Sequence, residues 1–370
     1  MTPEQMLATL VGFPTVVGQP NGAVIDFVRA YLAAHDIDCT VIPGPEGDRA
    51  NLFASIGPKD RPGYILSGHL DVVPATEPGW RADPFTLRHE GDRLIGRGAC
   101  DMKGFVAAVL SSLPELKVRA QAAPIHIALS YDEEAGCKGV PHMIAALPDL
   151  CAAPRGCVVG EPSGMHPVLR HKGKAALRVT ARGTAGHSAR PDLGTNAIHT
   201  LVPVITAALA ARDAAQARAQ DANFEPPYST LQIGRIGGGQ ALNIIPDAAW
   251  LEVEARAISG ADPRALLAPI EAAVAADDAL SLELLSSYPA LALEDGHPLA
   301  SLMQELTGLP PLTAVSYGTE AGLFQAAGIP AIICGPGDMG RAHKPEEYLL
   351  VDELHAARAM LIALADQLRG

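Results

Sequence analysis

Helical and strand-like hydrophobic patterns alternate along the first part of the chain. Apolar residues recur three and four positions apart, the spacing of an amphipathic helix, over residues 3–12, 22–35, 103–115 and a segment that begins near Gly139. Short apolar runs, typical of buried strands, occupy residues 51–56, 63–67, 125–130 and 157–160. Asn21 precedes the second helix as a candidate N-cap. This alternation predicts an α/β fold with a mainly parallel sheet and helices on both faces.

The pattern changes near residue 170. A polar strand is followed by a long alanine-rich helix, two strands, a second helix and a last strand. These elements are predicted over residues 174–183, 195–219, 229–236, 248–257, 262–277 and 281–287. Their order, β-α-β-β-α-β, is that of a ferredoxin-like unit, which can form a domain of its own.

The α/β pattern then resumes. Helices are predicted over residues 297–307, 319–327 and 352–368, with a buried strand over residues 330–335. A single hydrophobic core stops growing near ~250–300 residues, so that a chain of 370 residues can hold two domains. We therefore predict one α/β domain formed by residues 1–170 and 288–370, interrupted by an inserted domain of residues 171–287.

Composition and charge narrow the class of protein. The net charge of −13 argues against nucleic acid or an anionic membrane as a partner, because both attract a basic surface. No apolar run approaches the ~18–20 residues of a membrane-spanning helix, and the first residues lack a basic segment followed by an apolar one. The six cysteines show no CxxC spacing, which favours reduced thiols. These features predict a soluble cytoplasmic protein.

Acidic residues and histidines follow several of the predicted strands. The clusters are His69-Leu70-Asp71, Asp101, Glu133-Glu134, Glu161 and His343. Since ligands bind where the carboxyl ends of parallel strands meet, these clusters could converge at one edge of the sheet. Histidine and carboxylate together are ligands for zinc, and a carboxylate can bridge two ions. Each cluster alone has an ordinary alternative, such as a helix cap at Asp101 or a solvated turn at Glu133-Glu134.

Several segments resemble the dizinc amidohydrolase family, which includes deacetylases, desuccinylases, aminoacylases and glutamate carboxypeptidases. They are SGHLDVVPA (67–75), GRGACDMKG (96–104), YDEEAG (131–136), GEPSG (160–164), GHSARPDLGTNAI (186–198) and GPGDMGRAHKPEEYL (335–349). The motifs occur in the order of the family and span residues 60 to 350. The resemblance implies a catalytic domain interrupted by a lid and dimerisation domain.

The resemblance also assigns roles to the clustered residues. His69 and Glu161 would bind one zinc ion, Glu134 and His343 the other, and Asp101 would bridge them. Asp71 would orient His69, and Glu133 would be the general base that acts on a metal-bridging hydroxide or water. The family also has a cis peptide after the bridging aspartate, here Asp101-Met102. Two zinc ions against three ligand carboxylates leave one positive charge, which favours hydroxide as the bridging ligand. Cobalt or manganese in either site is compatible with the same ligands.

The inserted domain contributes three further candidates. His187 lies in the lid motif, and in the family this histidine reaches the active site of the partner subunit and stabilises the oxyanion. Asn243 matches a residue near the substrate. Arg256 could clamp a substrate carboxylate, which its fork geometry suits, or be an ordinary strand-end arginine. The role of His187 implies a homodimer formed through the inserted domain.

The segment SYGTEAGLFQAAGIPAIICGPG (316–337) bears on the choice of substrate. Its Glu320-Ala321 pair resembles the acetylornithine deacetylases, whereas desuccinylases have Ser-Asp there. The resemblance implies hydrolysis of N2-acetyl-L-ornithine to L-ornithine and acetate, a step of arginine biosynthesis. Glu320 could contact a cationic substrate end or interact with the N-terminus of the helix that follows.

Two alternatives remain open at this point. The first is a desuccinylase or a broader N-acyl-amino-acid amidohydrolase. The second is a metal-dependent binding protein without turnover, although Glu133 argues against it, since only catalysis needs a base beside the ligands. Serine hydrolase and dinucleotide-binding functions are disfavoured, because neither G-x-S-x-G nor G-x-G-x-x-G is present at the required position.

Overall fold

A computed structural model of the chain describes residues 1–369. The chain divides into two compact units. Unit 1 comprises Met1–Arg170, Leu291–Thr313 and the residues from Thr319 onward, and unit 2 comprises His171–Ala290 with Ala314–Gly318.

The helices and strands follow one another in this order: α1 (Pro3–Val11), α2 (Gly22–Ala33), β1 (Cys39–Pro43), β2 (Ala50–Ile56), β3 (Tyr64–His69), β4 (Arg88–Glu90), β5 (Arg93–Ile95), α3 (Lys103–Ser111), α4 (Leu113–Arg119), β6 (Ile125–Ser130), α5 (Val140–Leu150), β7 (Gly156–Pro162), β8 (Arg170–His171), β9 (Gly173–Arg182), α6 (Ala197–Thr200), α7 (Val202–Ala217), β10 (Thr230–Gly238), β11 (Ala248–Ala257), α8 (Ala268–Ala275), β12 (Leu280–Tyr288), β13 (Leu291–Ala292), α9 (Pro298–Thr307), α10 (Ala321–Ala326), β14 (Ala331–Gly335), β15 (Tyr348–Leu350) and α11 (Val351–Asp366).

Unit 1 is built on a six-stranded sheet of order β1-β2-β6-β3-β7-β14. The pairings β6–β3, β3–β7 and β7–β14 are parallel, whereas β1–β2 and β2–β6 are antiparallel. The predicted α/β fold with a mainly parallel sheet is therefore confirmed. Every residue of β6 and β7 is buried, which requires that the sheet be covered on both faces.

The parallel register places the ends of β3 and β6 side by side. Ser67 lies opposite Ala128, and His69, the last residue of β3, lies opposite Ser130, the last residue of β6. The residues that follow these two strands therefore leave the sheet at the same edge.

Unit 2 has its own antiparallel sheet of order β10-β11-β9-β12. Along the chain its main elements run β9, α6–α7, β10, β11, α8, β12. Alternate residues of β11 are buried, as expected for a sheet with one face covered. The buried apolar residues of this unit form a cluster separate from that of unit 1.

Proline interrupts three of the helices that the hydrophobic pattern predicts as continuous. Pro114, Pro203 and Pro269 each lie in the first turn of a new helix, α4, α7 and α8. Proline has no backbone N–H and its ring clashes with the preceding turn, so it is accommodated where a helix begins. The predicted helices over residues 103–115 and 195–219 are therefore each divided in two, and within the predicted helix over residues 262–277 a 3-10 turn (Ala265–Leu267) precedes α8.

Residues 197–217 correct the expectation that no apolar segment approaches the length of a membrane-spanning helix. This helical stretch is long and apolar enough, by length and composition alone, to span a membrane. One face of the stretch, formed by Ala197, Leu201, Val204 and Ala208, packs into the core of unit 2. Such a packed face is what a core helix of a globular domain also shows.

The side chain of Asn21 differs from the expected cap. Asn21 occupies the N-cap position of α2, but its side chain makes no capping hydrogen bond. Instead, it bonds both the backbone N–H and the carbonyl of Ala50 at the start of β2, at 3.0 and 2.8 Å. Asn21 therefore joins α2 to the sheet.

Candidate metal centre and active site

The structure brings the histidine and carboxylate clusters of unit 1 together. His69 ends β3, the Glu133-Glu134 pair follows β6, and Glu161 lies near the end of β7. Asp101 precedes α3 and His343 lies in the segment between β14 and β15. His69, Asp101, Glu133 and Glu161 are buried. The cis peptide expected at Asp101-Met102 is confirmed.

Asp101 lies between two histidines. Its Oδ1 is 3.1 Å from His69 Nε2, and its Oδ2 is 3.3 Å from His343 Nε2. Glu161 Oε1 lies 3.6 Å from His69 Nε2, and Glu134 Oε1 lies 3.0 Å from His343 Nε2. The arrangement thus has two histidine–glutamate pairs that share one aspartate.

This donor set fits metal ions. The ligand atoms of His69, Asp101 and Glu134 lie within 4.8 Å of one another, as do those of His69, Glu133 and Glu161. Imidazole nitrogens and carboxylate oxygens are the ligands that zinc and related ions prefer. Among the described residues, no ion pair joins these carboxylates to a lysine or arginine, so their charge calls for cations.

The excess of negative charge shifts the pKa values of the histidines and carboxylates in this cluster. Burial alone would lower the pKa of His69, but its hydrogen bond with Asp101 and the nearby carboxylates raise that pKa well above its usual value. Hydrogen bonds with Asp101 and Glu134 raise the pKa of His343 to about 10. Burial raises the pKa of Glu161 well above its usual value, and Asp101 adds to this effect. Metal ions would replace the protons that the cluster otherwise attracts.

Asp71 supports the site through its backbone as well as its side chain. His69 Nδ1 donates a hydrogen bond to the backbone carbonyl of Asp71 at 2.9 Å, while the Asp71 carboxylate lies 3.6 Å from the same nitrogen. The carboxylate accepts hydrogen bonds from the N–H groups of Glu133 and Glu134, both at 3.1 Å. The orientation of His69 is therefore set mainly by the carbonyl, which leaves Nε2 available as a ligand atom.

Glu133 is buried beside the ligands. Burial raises its pKa to about 8, and the charges of Glu134 and Asp71 act in the same direction. The Cys137 thiol lies 3.3 Å from its Oε1. The preceding residue, Asp132, is held by an ion pair with Arg49 and by a hydrogen bond from Gly18 N–H at 2.7 Å.

Glu347 holds the backbone at Asp101 in place through hydrogen bonds. Its Oε1 accepts hydrogen bonds from the N–H groups of Cys100 and Asp101 at 2.9 and 3.1 Å, and its Oε2 pairs with Arg97 at 2.8 Å. Glu347 and Arg97 are both about 1% exposed. The sequence reasoning missed both residues, and the only signal for Glu347 is its position four residues after His343.

Cys100, the residue before Asp101, is a packing residue. Its side chain is buried, and a Cβ added at Gly337 would lie 2.5 Å from its Sγ. Gly337 has φ +89°, so the close approach and the backbone conformation both favour glycine there.

Glu320 is 1% exposed, and its carboxylate contacts strands β3 and β6. Its Oε1 accepts a hydrogen bond from Ser67 Oγ at 2.5 Å, and its Oε2 accepts one from Ser130 Oγ at 2.7 Å. Its side chain makes no capping hydrogen bond to α10, although it precedes that helix. Both carboxylate oxygens therefore have hydrogen-bond partners, and the side chain is inaccessible to solvent.

The three remaining candidates lie in unit 2. His187 and Asn243 are exposed, and their segments are joined by a hydrogen bond from Ser188 N–H to the Asn243 carbonyl at 3.1 Å. Arg256 is partly buried, with its guanidinium 2.8 Å from Glu254 and 3.3 Å from the Tyr288 hydroxyl.

Known proteins resemble the whole chain. Acetylornithine deacetylase of Edwardsiella ictaluri (strain 93-146) is 31% identical over 356 residues, which cover 94% of this chain and 91% of that protein. The acetylornithine deacetylase of Vibrio vulnificus (strain CMCP6) is 32% identical over 342 residues, 90% of this chain and 88% of the relative. The M20 family metallo-carboxypeptidase Sso-CP2 from Sulfolobus solfataricus shares the fold, with a TM-score of 0.81 at 16% identity over 99% of both chains.

A dinuclear metal binding peptidase from the M20 family, the YXEP protein of Bacillus subtilis, also has this fold, with a TM-score of 0.65 and 17% identity over 99% of this chain and 97% of that one. The model of "Peptidase family M20/M25/M40" matches residues 65–367, which include every histidine and carboxylate of the metal centre. This chain therefore belongs to peptidase family M20/M25/M40 and is a metal-dependent amidohydrolase.

Proposed function

We propose that this protein hydrolyses the amide bond of N2-acetyl-L-ornithine and releases L-ornithine and acetate, a step of arginine biosynthesis in the cytoplasm. The observation that carries the chemistry is the position of Asp101 between two histidine–glutamate pairs, with Glu133 buried beside them. The similarity to acetylornithine deacetylases over more than nine-tenths of the chain supports the choice of substrate.

The ligands are assigned from the contacts on Asp101. His69 and Glu161 would hold one ion and His343 and Glu134 the other, with Asp101 placed between the two histidines to serve both. The ions are zinc, with cobalt or manganese able to replace either, because the same nitrogen and oxygen ligands suit all three. When bound, they act as Lewis acids that activate water and polarise the substrate carbonyl.

Glu133 transfers the proton. It takes a proton from the water that attacks the amide carbon, and it returns a proton to the nitrogen of the leaving amine as the C–N bond breaks. Burial raises the pKa of Glu133 to about 8, and two cations nearby would lower that pKa towards the range in which it can serve as a base. Asp71 holds the backbone N–H of Glu133 and so keeps the base beside the ligands.

Unit 2 supplies substrate-binding groups in this proposal. Arg256 binds the substrate carboxylate through its guanidinium fork, and Asn243 hydrogen-bonds the substrate. His187 acts in a homodimer, at the active site of the partner subunit, where it stabilises the oxyanion. Exposed apolar side chains on α6–α7 and on the edge strand β10 support dimerisation through this unit, namely Ile198, Val202, Leu209 and Ile236.

The first test compares substrates and a variant of the base. Metal-reconstituted protein is assayed with N2-acetyl-L-ornithine, N-succinyl-diaminopimelate, N-acetyl-methionine and a folyl-glutamate-like amide. We expect acetylornithine to give the highest kcat/KM. Glu133→Gln should lower kcat by at least ~10²–10⁴-fold, because the proton transfer is lost, while two metal ions remain bound.

The control is Glu305→Gln, an exposed glutamate on α9, which should retain full activity. If the protein hydrolyses another amide faster than acetylornithine, the dinuclear mechanism still holds, but acetylornithine is not the substrate. Normal turnover by Glu133→Gln would remove Glu133 from its role, and two bound metals without turnover of any amide would favour the alternative of a binding protein.

A further inference from the structure

We propose that Glu320 is a positioning residue of the metal centre, a buried carboxylate that ties strand β3 to strand β6 and whose negative charge strengthens cation binding at His69. This proposal rests on the metal-dependent function proposed above. It differs from the two roles considered from the sequence, contact with the substrate and interaction with the N-terminus of α10.

The ties between the strands are two short hydrogen bonds. Ser67 on β3 donates to one oxygen of Glu320 at 2.5 Å, and Ser130 on β6 donates to the other at 2.7 Å. Ser67 lies two residues before His69 and therefore points to the same face of the sheet. Ser130 is the register partner of His69. The Glu320 carboxylate thus holds together the end of β3, which carries His69, and the end of β6, which leads into Glu133-Glu134.

The carboxylate has no basic partner. Within the described part of the chain, no lysine, arginine or histidine lies within ion-pair distance of Glu320, and both of its hydrogen-bond donors are neutral hydroxyls. Burial raises the pKa of Glu320, and the hydroxyls of Ser67 and Ser130 act in the opposite direction. A buried carboxylate without a counter-ion is unfavourable unless a cation is close.

The metal centre is the nearest place for that cation. Glu320 is close enough to His69 and Glu133 to influence the charge of both. Glu320 adds a negative charge near the two divalent ions that this centre would hold, beyond the charges of the ligand carboxylates and Glu133. Its charge should therefore oppose folding of the metal-free protein and favour metal binding.

Glu320→Gln separates the charge from the hydrogen bonds. Glutamine retains the size and can still bond both serines, since a hydroxyl can donate as well as accept. We expect the two metal ions to bind ~10–100-fold more weakly, the usual effect of losing a partner behind the ligands. The chelator-treated variant should be at least as stable to urea as the wild type, because an uncompensated buried charge has been removed.

Two further variants are measured alongside. Ser67→Ala with Ser130→Ala removes the ties and retains the charge, so this double variant should lose stability in the metal-free form. Ser112→Ala is the matched control, because Ser112 is also buried and its hydroxyl donates one hydrogen bond at 2.7 Å, to the Ala108 carbonyl in α3. It should leave metal affinity unchanged.

Cobalt(II) titration, followed by visible absorption and calorimetry, gives the metal affinities. Weaker metal binding by Glu320→Gln without loss of metal-free stability supports the proposal. Unchanged metal affinity overturns it, and so does a parallel loss of metal-free stability, which would make Glu320 a purely structural residue. If wild-type protein hydrolyses its substrate while Glu320→Gln binds metal equally well, only this proposal fails. A wild-type protein that takes up no metal would overturn the proposed function as well.

Discussion

Asp101 and Glu347 illustrate how a ligand depends on a residue far away in the sequence. Glu347 bonds the backbone N–H of Asp101, 246 residues earlier, and also pairs with Arg97. All three residues are buried. The position of Asp101, the proposed shared ligand, is therefore set by the carboxylate of Glu347.

Replacing Glu347 should be far more damaging than replacing its neighbour. Glu347→Ala leaves the buried N–H groups of Cys100 and Asp101 without their acceptor and leaves Arg97 with Glu77 as its remaining carboxylate partner, so we expect the free energy of unfolding to fall by about 3–5 kcal/mol. Glu346→Ala is the control, because Glu346 pairs with Arg81 and Arg88 at the surface and its loss should cost about 1 kcal/mol or less. Urea denaturation of the metal-free proteins gives both values. Equal losses would show that the buried pair is not the important contact.

Among the elements, β6 contains a buried neutral histidine. The ring of His126 stacks on Phe53 of β2, with 5.4 Å between the ring centroids, and its Nδ1 lies 2.8 Å from Ser55 Oγ. Burial lowers the pKa of His126 to about 4. Between pH 6.5 and pH 4, His126 is protonated in the unfolded chain but neutral in the folded protein. Protonation therefore favours the unfolded state, and stability is lost as the pH falls from 6.5 towards 4.

His126→Phe should remove this pH dependence. Between pH 8 and pH 5 the wild type should lose about 2 kcal/mol more stability than the variant, since the other titrating groups are common to both proteins. Denaturant unfolding at the two pH values measures this difference. A constant gap between the two proteins would mean that His126 takes up its proton equally readily in the folded and unfolded chain.

The elements that the sequence analysis missed are short or lie at sheet edges. β1 pairs only with β2, and its residues are partly exposed, so it lacks the continuous apolar run of a buried strand. β4, β5 and β15 have three residues each, too few to show a period of two. The long buried strands were found because they are buried along their whole length.

At the scale of the whole molecule, the ligands and the remaining candidates lie in different units. All the histidines and carboxylates of the metal centre belong to unit 1, and His187, Asn243 and Arg256 belong to unit 2. The proposed homodimer gives His187 a role at the active site of the partner subunit. Such a role can be tested by complementation between two inactive variants.

Glu133→Gln and His187→Ala should each be inactive alone and active together. Loss of an oxyanion donor lowers kcat by ~10²–10³-fold. In a heterodimer of the two variants, one active site has its own Glu133 and receives an intact His187 from the other subunit. Co-expression with two different tags isolates that heterodimer, and we expect it to regain up to about half of wild-type activity, because one of its two active sites is complete. If it remains as inactive as the parents, His187 does not act between subunits.

The sequence by itself determined the class of fold and the types of residue available for chemistry. Hydrophobic periodicity and the motifs around His69, Asp101, Glu133 and His343 are local features, and a helix, a strand or a ligand type can be read from a few neighbouring residues. The family and its metal-dependent amidohydrolase activity followed from those motifs.

Only the tertiary structure decided which residues support the ligands. Glu347 bonds Asp101 across 246 positions, and Glu320 bonds Ser67 across 253. A single glutamate in the sequence carries no signal of such a distant partner, because the contact is made by the packing of α10 and of the segment before β15 against the rest of unit 1. The same packing buries Glu320, and burial is what changes it from an accessible acid into a group that acts through its charge.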